Sequence, residues 1–301
     1  MNVAPAAFGL LGYPLEHSLS PALHDCAYRC LGLDWSYELL PQPDEFSCMR
    51  QLGSLTAGDF RGFNVTTPYK SFLLRFCPTL DAAARCAGGV NVLYLQDDEL
   101  CGCNTDGQGA VAALRQAGFE VGDKRILICG TGATAASIAA ALLLDSPSAS
   151  VCLLSREQGR SQALVERLEV LLPLSSVPIT RTSLQAASYE RALELMERAD
   201  CIINATTLGM HDGDPSPLPA AGLQPRHVVL DAVYRSRSRL QQDAASAGCN
   251  LVDGRSMLME QALASILIWA RELECEPAPD QVALARHAMS AIIFPPTKGE
   301  C

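Results

Sequence analysis

Lysine is almost missing from this chain. Among 301 residues only Lys70, Lys124 and Lys298 carry an amine, and arginine supplies nearly all the other positive charge. Cations are also outnumbered, 23 to 33, which leaves a formal charge of −10. A nucleic acid or a membrane surface would prefer a basic face, so neither is expected as a partner. No apolar run approaches the length of a membrane span. The opening MNVAPAAFGLLGYP lacks a basic n-region, and Gly and Pro interrupt its apolar run. It reads as a first strand rather than a signal peptide, and the expected location is cytoplasmic. The 13 cysteines are scattered singly, with no CxxC pair and no His/Cys cluster at zinc spacing, so no metal site is expected. Cys101-Gly102-Cys103 comes closest to a motif, since two such side chains share one face of a strand. Small buried hydrophobes in a reducing compartment is the better reading of these thiols.

What is present is ample apolar material: 49% hydrophobic residues with 19% charged, in a chain long enough for two domains. Short apolar runs near 6–11, 36–40, 60–65 and 91–95 read as strands, separated by helical patterns near 21–31, 44–52 and 68–76. After about residue 106 the alternation becomes regular. GAVAALRQAG, ATAASIAAALLL and SQALVERLEVLL read as helices; KRILICG, SVCLLS, ADCIINAT and RHVVLDAVY read as strands. Repeated βαβ units predict parallel sheet. Residues 211–225, dense in Pro, Gly and Asp, read as a surface loop, and the chain turns helical again from Ser256. The expected fold is α/β throughout. A first domain, 1–105, is completed by C-terminal helices in 255–301, and a Rossmann-type, doubly wound dinucleotide-binding domain spans 106–254.

Gly130-Thr131-Gly132-Ala133-Thr134-Ala135 follows the strand KRILIC and opens a helix. Glycines at these places permit a tight turn and close backbone approach, and the helix N-terminus would face a diphosphate. At the end of the following strand NAD calls for a carboxylate and a 2′-phosphate calls for cations. Ser155 stands there, followed by Arg156 and Arg160, which favours NADP. Glu157 keeps NAD open as the alternative.

Polar residues also interrupt apolar surroundings in the first part of the chain. In Ser18-Leu19-Ser20-Pro21, Ser20 is suited to cap a helix that Pro21 begins. Ser18 and Ser20 then lie at a helix N-terminus, where a carboxylate is stabilised. GFNVTTPYK, residues 62–70, ends on the scarce amine of Lys70. An amine can exchange a proton where a guanidinium holds its own. Gly89-Val90-Asn91 lies between elements, and Gly102-Cys103-Asn104-Thr105-Asp106-Gly107 stands at the expected domain junction, a position suited to a small-molecule cleft.

Taken with NATTLGM at 204–210, Tyr234 after VVLDAV, and DGRSMLMEQA at 253–262, these motifs resemble the shikimate/quinate dehydrogenase family from about Phe8 to Ala270. The resemblance implies that the first domain binds the substrate, shikimate or 3-dehydroshikimate. Ser18 and Ser20 would hold its carboxylate, with Tyr234 closing that end, and Thr66, Asn91 and Gln261 would bond its ring hydroxyls. Lys70 and Asp106 match the family's catalytic pair. Gly130, Thr131, Gly132, Ala133, Thr134, Ser155, Arg156, Arg160 and Thr206 would hold the nucleotide, with Gly254 near the nicotinamide. The chain departs from the family pattern at Ser155, Glu157 and Ser256. The implied activity is NADP-dependent interconversion of 3-dehydroshikimate and shikimate, by a monomer or homodimer. An NAD-dependent quinate/shikimate dehydrogenase and a non-catalytic binder of the same acids stand as alternatives.

Overall fold

The computed structural model describes residues 4–175, 184–234 and 237–295. The chain divides into two compact units, Met1–Thr105 with Met259–Cys301, and Asp106–Leu258.

In the first unit the elements are β1 (Ala6–Gly12), α1 (Ser20–Leu31), β2 (Trp35–Pro41), α2 (Glu45–Ala57), β3 (Gly62–Val65) and α3 (Lys70–Leu74). They continue with β4 (Thr79–Leu80), α4 (Ala82–Ala87), β5 (Val92–Gln96) and β6 (Glu99–Cys103). Its six strands order as β2-β1-β3-β5-β6-β4. This sheet is mixed, contrary to the parallel arrangement expected from sequence. β1 pairs in parallel with β2 and β3, whereas β5 runs antiparallel to both β3 and β6. Between β5 and β6 the reversal is a tight hairpin in which Asp97 and Asp98 take positive φ values of 49° and 63°. Turns of that kind usually advertise themselves with Asn-Gly or Asp-Gly, and here no glycine marks it.

The second unit carries α5 (Asp106–Gln116), β7 (Arg125–Cys129), α6 (Ala133–Asp145), β8 (Ser150–Ser155), α7 (Gln158–Leu171), β9 (Leu184–Ser188) and α8 (Ala192–Arg198). It continues with β10 (Cys201–Asn204), β11 (Val228–Asp231), α9 (Arg239–Ser246) and β12 (Asn250–Asp253). The strand order β12-β11-β10-β7-β8-β9 is parallel throughout. Counted from β7 this is the 3-2-1-4-5-6 order of a doubly wound dinucleotide fold. The division between units falls within α10 (Gly254–Glu272), and α11 (Pro279–Ile293) follows in the first unit.

Aromatic burial organises the core of the first unit. Trp269 of α10 stacks on Phe8 of β1 at 4.3 Å, and Phe8 also meets Trp35 at 4.6 Å. Gly62 lets the Trp269 indole lie directly over β3, because a Cβ there would collide with its ring. In α11, Arg286 reaches the buried carboxylate of Glu260 at 2.7 Å.

His24 is enclosed in this core, stacked on Tyr37 at 3.8 Å with its Nδ1 3.1 Å from the Tyr28 hydroxyl. Its Nε2 is buried without a hydrogen-bond partner. Burial lowers its pKa to about 3 from the ordinary 6.5, opposed by the Asn64 side chain. Between those values the unfolded chain binds the proton and the folded one does not. Stability therefore rises with pH across that window and falls on acidification, by up to about 1.4 kcal/mol per pH unit. His24→Phe keeps the stack and removes the titration. Urea midpoints are expected to show the variant's disadvantage shrinking from about pH 7 to about pH 4.5; a constant difference would contradict this.

Candidate active site

Four strand ends of the first unit meet at one edge of its sheet. Leu11 of β1 pairs with Val65 of β3, Asn64 with Val92 of β5, and Val92 with Cys103 of β6. The chain leaving β1 reaches Ser18, the chain leaving β3 gives Thr66 and Lys70, Asn91 precedes β5, and Thr105 follows β6. Carboxyl ends of parallel strands are where α/β sheets bind ligands.

Ser20 is the first residue of α1, not its cap as its sequence position indicates. Leu19 holds the cap position in helical conformation, with no side-chain cap bond. Ser18 supplies the acceptor instead, its Oγ taking the Ser20 N–H at 3.2 Å. Thr66 is tied back to β1 by its N–H, which donates to the Leu11 carbonyl at 2.8 Å. Gly12 leaves room for the Thr66 methyl, which a Cβ at that position would overlap.

Lys70 opens α3 and is half-buried. Its carbonyl accepts the Val90 N–H at 3.0 Å, and a Cβ on Gly89 would stand 3.2 Å from the Lys70 Cβ. The lysine backbone is thus braced against the turn that presents Asn91. Asn91 is buried, and its Nδ2 donates to Thr105 Oγ1 at 3.0 Å and to Gln261 Oε1 at 3.1 Å. The structure therefore brings Asn91 and Gln261 into contact, although 170 residues separate them in sequence.

Three members of this polar cluster carried no expected role. Asn64, within GFNV, accepts from the Tyr37 hydroxyl at 2.9 Å and donates to Ser265 Oγ at 3.0 Å. Ser265 sits one helical turn beyond Gln261, and Thr105 bonds to both Asn91 and Gln261. The signal for Asn64 was available: a polar side chain inside an otherwise apolar strand must find a partner.

The second unit carries Asp106, Tyr234 and the residues expected to hold a nucleotide. Asp106 is buried and begins α5, where Gly107 N–H donates to Ser137 Oγ of α6 at 2.9 Å. Gly130 follows β7 with a φ of +113°, and a Cβ on it would lie 2.8 Å from the Ala205 carbonyl oxygen after β10. β7 and β10 are the strands at which the sheet order reverses. Gly132 caps α6 with no side-chain bond, and a Cβ on it would meet nothing within 4 Å beyond its own stretch of chain, among the described residues. The first turn of α6 contains no acidic residue. An uncapped helix N-terminus with Thr131, Ala133 and Thr134 around an open glycine fits the diphosphate of a dinucleotide.

At the end of β8, Ser155 is buried and its hydroxyl donates to the Glu157 carbonyl at 2.6 Å. Arg160 pairs with Glu157 at 3.1 Å on the surface, whereas exposed Arg156 makes no ion pair among the described residues. Thr206 serves its own loop: Oγ1 donates to Asn204 Oδ1 at 2.7 Å and accepts the Leu208 N–H at 3.1 Å. Asn204 in turn donates to buried Asp231 at 2.9 Å, which also accepts from Ser238 Oγ and from Val233 N–H. Burial raises the Asp231 pKa, against these hydrogen bonds. The same anchor precedes Tyr234, which is exposed; the next two residues lie outside the described residues. Gly254 begins α10 so close to β11 that a Cβ would lie 2.6 Å from the Asp231 carbonyl oxygen.

Cys101 and Cys103 are both buried on β6, and burial pushes the first thiol up and the second to about 12. Thiols held this far up stay protonated and inert. Among the described residues no group of three or more His, Cys, Asp or Glu could hold a metal ion.

Comparison with known proteins bears on what this arrangement does. Residues 10–93 match the family described as shikimate dehydrogenase substrate binding domain. The shikimate dehydrogenase (NADP(+)) of Rubrobacter xylanophilus is 37% identical over 87% of this chain and 89% of its own length. That of Thermococcus kodakarensis is 35% identical over 87% and 90%. The structure resembles a crystal structure of the Thermus thermophilus shikimate 5-dehydrogenase in complex with NADP(H) and shikimate, with a TM-score of 0.77 and 30% identity. That likeness covers 94% of this chain and 99% of the other. The matched domain holds Ser18, Ser20, Thr66, Lys70 and Asn91, and the full-length relatives extend the likeness through the glycine loop and α10. At that identity and coverage, the chain belongs to the shikimate dehydrogenase family.

Proposed function

We propose that the protein catalyses the reversible, NADP-dependent reduction of 3-dehydroshikimate to shikimate, in the pathway to chorismate and the aromatic amino acids. The reading rests on family membership combined with retention of both Lys70 and Asp106. A non-catalytic binder of the same acids would have no need of that pair. NADP, when bound, supplies the nicotinamide that takes hydride from the substrate's carbinol carbon.

The chain's own residues bind, orient and move a proton. The open N-terminus of α6, from Gly130 to Thr134, holds the diphosphate through backbone N–H groups. Ser155, Arg156 and Arg160 face the 2′-phosphate end, with Thr206 and Gly254 shaping the neighbouring loops. Ser18 and Ser20, at the start of α1, take the substrate carboxylate together with Tyr234. Thr66, Asn91 and Gln261 bond the ring hydroxyls and fix which carbon reacts. As the alcohol is oxidised, its hydroxyl proton passes to Lys70 Nζ, with the Asp106 carboxylate stabilising the ammonium form. In reduction the proton returns from Nζ to the carbonyl oxygen. We place the enzyme in the cytoplasm, as a monomer or homodimer. Each described cysteine is a free thiol, which fits a reducing compartment.

Incubation with 3-dehydroshikimate and NADPH should yield shikimate, identified by chromatography; absence of product would sink the reading. For the cofactor, Arg156→Ala is expected to raise the KM for NADP roughly tenfold or more, with little effect on NAD, because it removes a charged contact to the extra phosphate. Arg160→Ala should cost less, since Glu157 already neutralises that guanidinium. An unchanged NADP/NAD ratio in Arg156→Ala would move the phosphate contact elsewhere.

A further inference from the structure

We propose that Thr105 is a positioning residue for the substrate site, holding the side-chain amides of Asn91 and Gln261 in one orientation. The proposal deepens the reading above and rests on it. Thr105 is fully buried. Its backbone N–H donates to Asn91 Oδ1 at 2.8 Å, which settles which end of that amide is oxygen. A flipped Asn91 would set its NH₂ against this N–H. The correctly turned Nδ2 then donates to Thr105 Oγ1 at 3.0 Å and to Gln261 Oε1 at 3.1 Å. Gln261 is fixed in consequence, because reversing its amide would oppose two NH₂ groups.

The Thr105 hydroxyl has one proton to give. With Asn91 Nδ2 donating to it, its own O–H has the Gln261 carbonyl in reach at 3.1 Å. That bond ties the end of β6 to α10 at the residue whose amide is being oriented. Ser265 supports the same point, donating to the Gln261 carbonyl at 2.9 Å while accepting from Asn64 at 3.0 Å. Each acceptor in this set thus meets a donor, and only one assignment of the two amides satisfies all of them. An amide presented in a single orientation distinguishes a ligand's donor from its acceptor before the ligand arrives. Thr105 therefore contributes to specificity for the pattern of ring hydroxyls without itself touching the substrate.

Thr105→Val keeps the shape and the backbone N–H and removes only the hydroxyl. It is expected to raise the KM for shikimate roughly tenfold, through loss of one acceptor of Asn91 Nδ2 and of the hydroxyl's bond to the Gln261 carbonyl, while the KM for NADP and kcat change little. Thr105→Ser, which restores the hydroxyl, should recover most of the loss. Thr105→Ala, which leaves a small void in place of a misplaced methyl, gives the same reading should the valine variant not fold. An unchanged KM for shikimate in Thr105→Val, a serine variant as impaired as valine, or equal rises in both KM values would overturn the proposal. Asn91→Ala separates the two levels. If it raises the shikimate KM while Thr105→Val does not, the Thr105 inference alone fails; if it has no effect, the substrate-site reading fails and takes the inference with it.

Discussion

Lys70→Ala is expected to lower kcat by roughly 10²–10⁴, the usual worth of a positioned acid/base group, with a much smaller change in the KM for shikimate. At the turn of Gly89–Asn91 alanine keeps the Lys70 backbone carbonyl, bonded to Val90 N–H at 3.0 Å, and the Cβ. Lys70→Arg separates charge from proton transfer. It retains the positive charge and approximate reach but supplies a group too basic to exchange its proton readily, so its kcat should fall nearly as far. Steady-state kinetics beside circular dichroism decide the matter. Full activity in Lys70→Arg with an intact spectrum would mean that positive charge alone suffices.

Asp106→Asn should lower kcat by roughly 10²-fold, the lower end of the range for such groups, because an amide still hydrogen-bonds yet cannot carry charge or accept a proton. Some loss of stability should accompany it, since Asp106 is the first residue of α5 and a carboxylate there is favoured by the helix dipole. A thermal melt measures that part separately from the kinetics. If Lys70 and Asp106 serve one proton path, the Lys70→Ala, Asp106→Asn double variant should be little worse than the poorer single variant. Multiplicative losses would show that the two act independently.

The parts of this fold legible in the sequence are those whose signal is local. KRILIC followed by GTGAT and an Ala-rich helix marks β7, its glycine turn and α6, and SVCLLS coincides with β8. Less visible were β6, whose residues Glu-Leu-Cys-Gly-Cys have no strand periodicity, and the hairpin before it, turned by Asp97-Asp98 without a glycine. That hairpin sets β6 against β5, whereas β5 is itself reversed against β3 after the α3–β4–α4 connection, which carries no local signal of direction, so the mixed first sheet read as parallel. Ser20 was displaced by one position because Ser18, two residues earlier, supplies the acceptor that a capping side chain would have given. In the candidate site, residues with chemistry of their own stood out: the scarce amine of Lys70, the acid at 106, and the cations after β8. The contacts among the other polar residues of the site did not. Asn64 and Ser265 are 201 positions apart, and Asn91 and Gln261 are 170 apart, so nothing short of the folded sheet brings them together. Thr206 and Gly254 show the converse. Their motifs point to the nucleotide, and the structure adds packing and loop bonds that would themselves require these residue types.

Initial rates with shikimate and with quinate, each crossed with NADP and NAD, put the assigned activity to the test through the near-ultraviolet absorbance of the reduced nicotinamide. Shikimate with NADP is expected to give the highest kcat/KM of the four pairs. A higher value for quinate with NAD, or no absorbance rise with any pair from a folded protein, would contradict it.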